Sequence, residues 1–122
     1  MIKVMILLRR RPDMEPEAFS QYWHEKHAPL VRTHAAALNV RRYVQNHGAH
    51  AEVTRASVKH RGMDESYDGI AELWFDSLDS MLAGARSPAG REANRLLLED
   101  EARFIAMKRS TILFAEEREI PL

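Results

Sequence analysis

Four short apolar runs, separated in two places by helical stretches, predict an α+β domain built on one antiparallel sheet. The runs, at 2–8, 40–47, 69–75 and 111–115, have the length of strands and carry many β-branched and aromatic residues. Between the first and second runs, and again between the third and fourth, apolar side chains recur three or four residues apart, as on one face of a helix.

Each element has local chemistry behind it. Residues 2–8 are a continuous apolar run suited to a buried central strand, closed by Arg9-Arg10-Arg11-Pro12-Asp13. Pro16 suits a first helical position, and Glu15 and Glu17 lie where the helix dipole favours negative charge. Phe19, Trp23, His27 and Leu30 then share one face. Pro29 has no N–H for the Glu25 carbonyl, so a kink or break is expected near Ala28, with the helix continuing from Val31 to Leu38. A second strand follows at 40–47. The polar, aperiodic segment 48–68 reads as a long loop, a lid or a dimer arm. Gly69–Phe75 is the third strand, Asp76-Ser77 caps a helix through Ala85, and Ser87-Pro88 starts another that carries Leu96, Leu97 and Phe104. Thr111–Ala115 is the last strand. The order β-α-β-β-α-β is that of a ferredoxin-like sheet with helices on one face. The bare face needs cover, which a second copy in a homodimer would provide.

With 122 residues the chain predicts one domain, 1–122. Eighteen basic and eighteen acidic residues balance, so no net field draws the protein to nucleic acid or to a membrane. The absence of cysteine excludes disulfides, thiolate metal sites and a cysteine nucleophile. The N-terminal apolar run is too short to span a membrane, and its charges follow it where those of a signal peptide would precede; the expected location is cytoplasmic.

Several side chains are candidates for chemistry. His27 shares its face with Phe19 and Trp23 and so points inward just before a proline. An imidazole there can take and return a proton, or it can be a core histidine satisfied by the backbone. Tyr43 and His47 lie with Gln45 on one side of the second strand, where they can hold a substrate carbonyl or simply face water. Glu72 and Trp74 alternate with Leu73 and Phe75; Glu72 pairs either with His27 or a substrate, or with Arg41 or Arg42 across the sheet. Arginine grips carboxylates in a bidentate fashion, so Arg9 or Arg42 can anchor an acidic substrate. His24, His27 and His34 do not assemble a four-ligand set, and no metal is expected.

Three stretches resemble the EthD family of dimeric α+β barrel proteins: Phe19-Ser20-Gln21-Tyr22-Trp23-His24-Glu25-Lys26-His27-Ala28-Pro29-Leu30, Arg41-Arg42-Tyr43-Val44-Gln45-Asn46-His47 and Tyr67-Asp68-Gly69-Ile70-Ala71-Glu72-Leu73-Trp74-Phe75. The resemblance implies a pocket between sheet and helices, with the first-helix histidine, here His27, as acid/base. It also implies, by way of related muconolactone-type isomerases, chemistry without metal or organic cofactor. The resulting expectation is an isomerase or lyase for a small unsaturated carboxylic acid or lactone. Its catalytic residues are His27, His47 and Tyr43, and its substrate contacts Trp23, Arg9, Arg42, Trp74 and Glu72. Two alternatives stay open: a non-catalytic binding or accessory protein of a catabolic or polyketide pathway, and a haem- or oxygen-using enzyme.

Overall fold

The computed structural model describes all 122 residues, and its elements follow the chain as β1 (Ile2–Leu8), α1 (Pro16–Tyr22), a π-helical turn (Trp23–His27), α2 (Ala28–His34), β2 (Arg42–His47), α3 (Ala51–Arg61), β3 (Gly69–Phe75), α4 (Leu78–Arg86), α5 (Pro88–Glu101), a short 3₁₀ turn (Met107–Arg109) and β4 (Thr111–Ala115). The strands form one antiparallel sheet in the order β2-β3-β1-β4, the ferredoxin-like arrangement.

Register divides the side chains cleanly between two faces. Val4 pairs with Leu73, Ile6 with Ala71 and Tyr43 with Leu73, and these residues all line the cavity on the helical side. The opposite face carries Lys3 paired with Trp74, Met5 with Glu72, Arg42 with Trp74 and Leu113 with Met5.

The core lies between the helical face of the sheet and α1, α2 and α5. Trp23, Phe19 and Phe104 are its largest fully buried side chains, with ring centroids 5.7 Å apart for both Phe19–Trp23 and Phe19–Phe104. Such tilted contacts add a modest stabilisation beyond area burial. Gly69 is required beneath this cluster, because an added Cβ would stand 2.5 Å from the Trp23 ring.

At Pro29 the chain widens rather than breaks. The Ala28 N–H bonds to the Trp23 carbonyl, five residues back, and the helix resumes at once as α2. A π turn absorbs the extra residue that the missing proline N–H would otherwise leave mismatched. Trp23 and His27 are the two buried residues of this turn.

The segment expected as a loop contains α3, eleven residues long with none of them buried. With no apolar face to bury, this helix leaves no 3.6-residue period in the sequence. Its ends are legible only in Glu52 in the first turn, Lys59, His60 and Arg61 in the last, and Gly62 in the left-handed conformation beyond. The two serine caps behave as the sequence implies: Ser77 accepts from the Ser80 N–H, and Ser87 from the Gly90 N–H.

The α4–α5 corner is packed to backbone contact. A Cβ on Gly90 would lie 1.7 Å from the Gly84 carbonyl oxygen. Gly90→Ala is therefore expected to destabilise the fold by about 2 kcal/mol through forced backbone displacement, read as a lower urea midpoint at unchanged slope. No helix is long and apolar enough to cross a membrane.

Candidate functional site

A cavity of about 340 Å³ lies between the sheet and the helices. Of its 22 lining residues 19 are hydrophobic, which leaves His27, Asn94 and Glu101, with the Tyr43 hydroxyl, to supply nearly all its polarity. No lysine or arginine reaches it. Leu98, Ile112 and Phe114 line the cavity yet remain half exposed, and they mark its mouth between α5 and the edge strand β4.

His27 enters this cavity from the π turn, only 5% exposed, its ring packed on Phe104 at 5.0 Å. Its Nδ1 lies 2.8 Å from Asp100 Oδ2 at the end of α5. Asp100 also accepts hydrogen bonds from the Tyr22 hydroxyl at 2.6 Å and from Arg103 Nη1 at 3.2 Å. Burial pushes the Asp100 carboxyl up, but the hydrogen bonds from Tyr22 and His27, with the charges around it, outweigh that push and hold it below the usual carboxylate range. An ionised Asp100 can only accept, so the proton of a neutral His27 sits on Nδ1 and the lone pair on Nε2. Burial lowers the His27 pKa, opposed by Asp100, so this neutral form is the one favoured near pH 7. The arrangement is that of an oriented general base.

Glu101 stands on the other side of the ring, its Oε2 3.9 Å from His27 Nε2. Burial and then the neighbouring Asp100 charge raise its pKa to about 7. Two adjacent carboxyl groups on one helix are thus pushed in opposite directions, the pattern by which acid and base roles can be separated.

Tyr43 reaches the cavity from β2. Its hydroxyl oxygen accepts from Gln45 Nε2 at 2.7 Å, and the same amide nitrogen donates to the Trp23 carbonyl at 3.0 Å. With its oxygen serving as acceptor here, the Tyr43 hydroxyl keeps its own proton to donate. Burial is the main cause that raises the Tyr43 pKa and keeps it a donor.

The remaining predicted residues divide. Trp23 lines the cavity beside His27 and Tyr43. His47 projects from the same side of β2 but beyond the cavity, where it meets the Ser20 hydroxyl, Gln45 Oε1 and the Trp23 ring in a polar outer groove. Arg9 also lies outside: it stacks on Tyr67 at 4.2 Å and donates to the Glu65 carbonyl. Arg42, Glu72 and Trp74 are on the opposite face of the sheet. There Arg42 and Lys3 flank the Trp74 ring and Glu72 pairs with Lys3 at 3.1 Å, rather than with Arg41, Arg42 or His27. Trp74 Nε1 donates to Glu117 at 2.9 Å. Alternation sends these side chains away from the cavity. Nowhere do three or more histidine, aspartate or glutamate side chains gather at metal-binding spacing.

Asp100 and Glu101 were not among the sequence candidates. A signal exists, because Glu99, Asp100 and Glu101 crowd the C-terminus of a helix, where the dipole disfavours negative charge. Asp100 also falls seven residues after buried Ala93, and Glu101 four after buried Leu97, on the inward stripe of α5.

Sheet order, helical layer and interior cavity define a ferredoxin-like α+β protein with a small-molecule-sized pocket. The EthD domain family matches residues 11–108, and the chain belongs to that family. Solved structures agree on the fold. An ethyl tert-butyl ether D (EthD) family protein from Bacillus halodurans superposes with a TM-score of 0.60 at 20% identity, over 97% of this chain and 100% of that one. A dimeric ferredoxin-like protein of unknown function from Thermobifida fusca gives 0.57 at 16% identity, over 93% and 88%. SnoaB, a cofactor-independent oxygenase from Streptomyces nogalater, gives 0.56 at 10% identity, over 98% and 94%. No curated protein matches the sequence at a significant level.

Proposed function

We propose that this protein is a cofactor-independent isomerase or lyase that moves a proton within a small unsaturated lactone or acid, with His27 as general base. One observation carries the reading: a buried imidazole, its Nδ1 2.8 Å from the Asp100 carboxylate, lines a cavity that is mostly apolar. His27 Nε2 would remove a proton next to the substrate carbonyl, the Tyr43 hydroxyl would hold the developing enolate oxygen, and return of the proton at another carbon would complete the shift. Low polarity around these groups strengthens each electrostatic contact. SnoaB, a cofactor-independent oxygenase, supports chemistry without cofactor in this fold but not a particular reaction. A cofactor-free ultraviolet assay against ring-cleavage lactones and acids, wild type beside His27→Gln, tests the proposal. A spectral change that requires His27 is expected; unchanged spectra across the panel with folded protein would leave binding without turnover.

A second copy of the chain is the proposed cover for the other face of the sheet. Met5, Leu7, Val44, Ile70 and Leu113 lie on that face, and Leu113 is 56% exposed. The Thermobifida fusca protein, which is dimeric, supports this. Leu113→Asp is expected to yield monomers in sedimentation velocity at concentrations where wild type is dimeric, since a charge in an apolar interface has no partner.

A further inference from the structure

We propose that the cavity selects a neutral conjugated carbonyl compound, such as an unsaturated lactone or enone, over the corresponding carboxylate, with Glu101 as the selecting residue. This deepens, and rests on, the small-molecule reading above. The donors around Asp100 are turned away from the cavity, since Tyr22, His27 Nδ1 and Arg103 each donate to that carboxylate. That leaves the uncharged Tyr43 hydroxyl and Asn94 amide among the lining groups. No lysine or arginine lines the cavity to neutralise a bound anion. His27 presents an acceptor nitrogen there, and Glu101, with a side chain 19% exposed, stands 3.9 Å from it.

A carboxylate placed here would give up its hydration for neutral donors alone, near the Asp100 charge and with no cation to balance its own. A neutral carbonyl oxygen has no such charge to balance and accepts from the same two donors, the Tyr43 O–H and the protonated Glu101 O–H. Glu101 is faced by His27 from the π turn, Asp100 from its own helix and Tyr43 from β2; Arg103, just beyond α5, is occupied by Asp100. Nothing among these groups offers an ionised Glu101 a strong counter-charge while His27 is neutral. Its protonated form is therefore the binding form, and raising the pH removes a donor and installs a second negative charge.

The test is calorimetric titration of the protein with a phenyl-substituted butenolide and with the sodium salt of its ring-opened hydroxy acid, at about pH 6 and about pH 8. The butenolide is expected to bind about tenfold tighter than the anion at the lower pH, the worth of one desolvated polar group left unpaired. Its affinity should fall about tenfold at the higher pH in wild type, and remain level in Glu101→Gln, whose amide donates at both. Equal or tighter binding of the anion, no binding of the butenolide, or an unchanged pH dependence in Glu101→Gln would each overturn the proposal. Selection of the butenolide with no turnover in the ultraviolet assay would uphold it while removing the isomerase reading.

Discussion

His27→Gln should lose about 10²–10⁴ of the wild-type turnover, the range that a positioned general base contributes. Glutamine fills a similar volume and can still donate to Asp100, so the fold should survive and circular dichroism should not change. It cannot take up a proton from carbon at neutral pH, so the loss should fall on kcat and not on KM. Asp100→Asn probes the support behind the base. The carboxylate now accepts from His27 on one oxygen and from Tyr22 and Arg103 on the other. An amide has one oxygen, so whichever way it turns, a donor faces a donor. Nδ1 then no longer holds its proton securely, and the fraction of His27 with a free Nε2 falls. A smaller loss in kcat than for His27→Gln, with KM kept, would mark Asp100 as a positioning residue. Turnover within twofold of wild type in His27→Gln would remove His27 from the chemistry altogether.

How far the sequence discloses this site depends on which kind of signal each residue leaves. His27 sits on an apolar helical stripe and ahead of a proline, and both marks are local, so its inward direction was legible. The succession of strands along the chain was legible for the same reason, since each strand is an apolar run bounded by turn residues. Facing was harder. Both faces of this sheet carry apolar side chains, Ala71 and Leu73 on one and Met5 and Ile70 on the other, so period-two alternation separates the sets without saying which one meets the cavity. That is why Trp74 and Glu72, grouped apart from Leu73 and Phe75, and Arg42, expected as a carboxylate anchor, turn away from the cavity they were expected to line. Glu72 finds Lys3 because β1, adjacent in space but distant in sequence, supplies the cation. α3 is silent for the opposite reason: it buries nothing, and periodicity reports burial rather than helicity. Asp100 and Glu101 leave a local mark on α5, but their partnership with His27 comes only from the packing of α5 on the π turn, a contact between residues 73 positions apart for His27 and Asp100.

Glu101 should also be visible in stability, before any substrate is known. Its pKa rises on folding from 4.5 to about 7, mainly because burial disfavours the charge. A group whose folded pKa is raised supports the fold fully below its unfolded pKa and loses that support as pH climbs through the folded one. Between about pH 4.5 and 7 wild type should therefore lose about 3 kcal/mol from this residue, at about 1.4 kcal/mol per unit. His27 and Asp100 act in the other direction, because both have lowered pKa values in the fold and both lose stability as pH falls. In wild type the opposing slopes partly cancel, so the pH curve of one protein is uninformative. The difference between wild type and Glu101→Gln isolates the term, since His27 and Asp100 remain in both. Urea denaturation should find the variant nearly equal to wild type at about pH 4 and more stable by about 3 kcal/mol at about pH 8. A constant difference across that range would mean that Glu101 titrates in the folded protein as it does in the unfolded chain. Under the proposed function, a carboxyl held near neutral pKa by burial beside His27 is a stability cost placed where a proton is to be held, which the difference curve would measure.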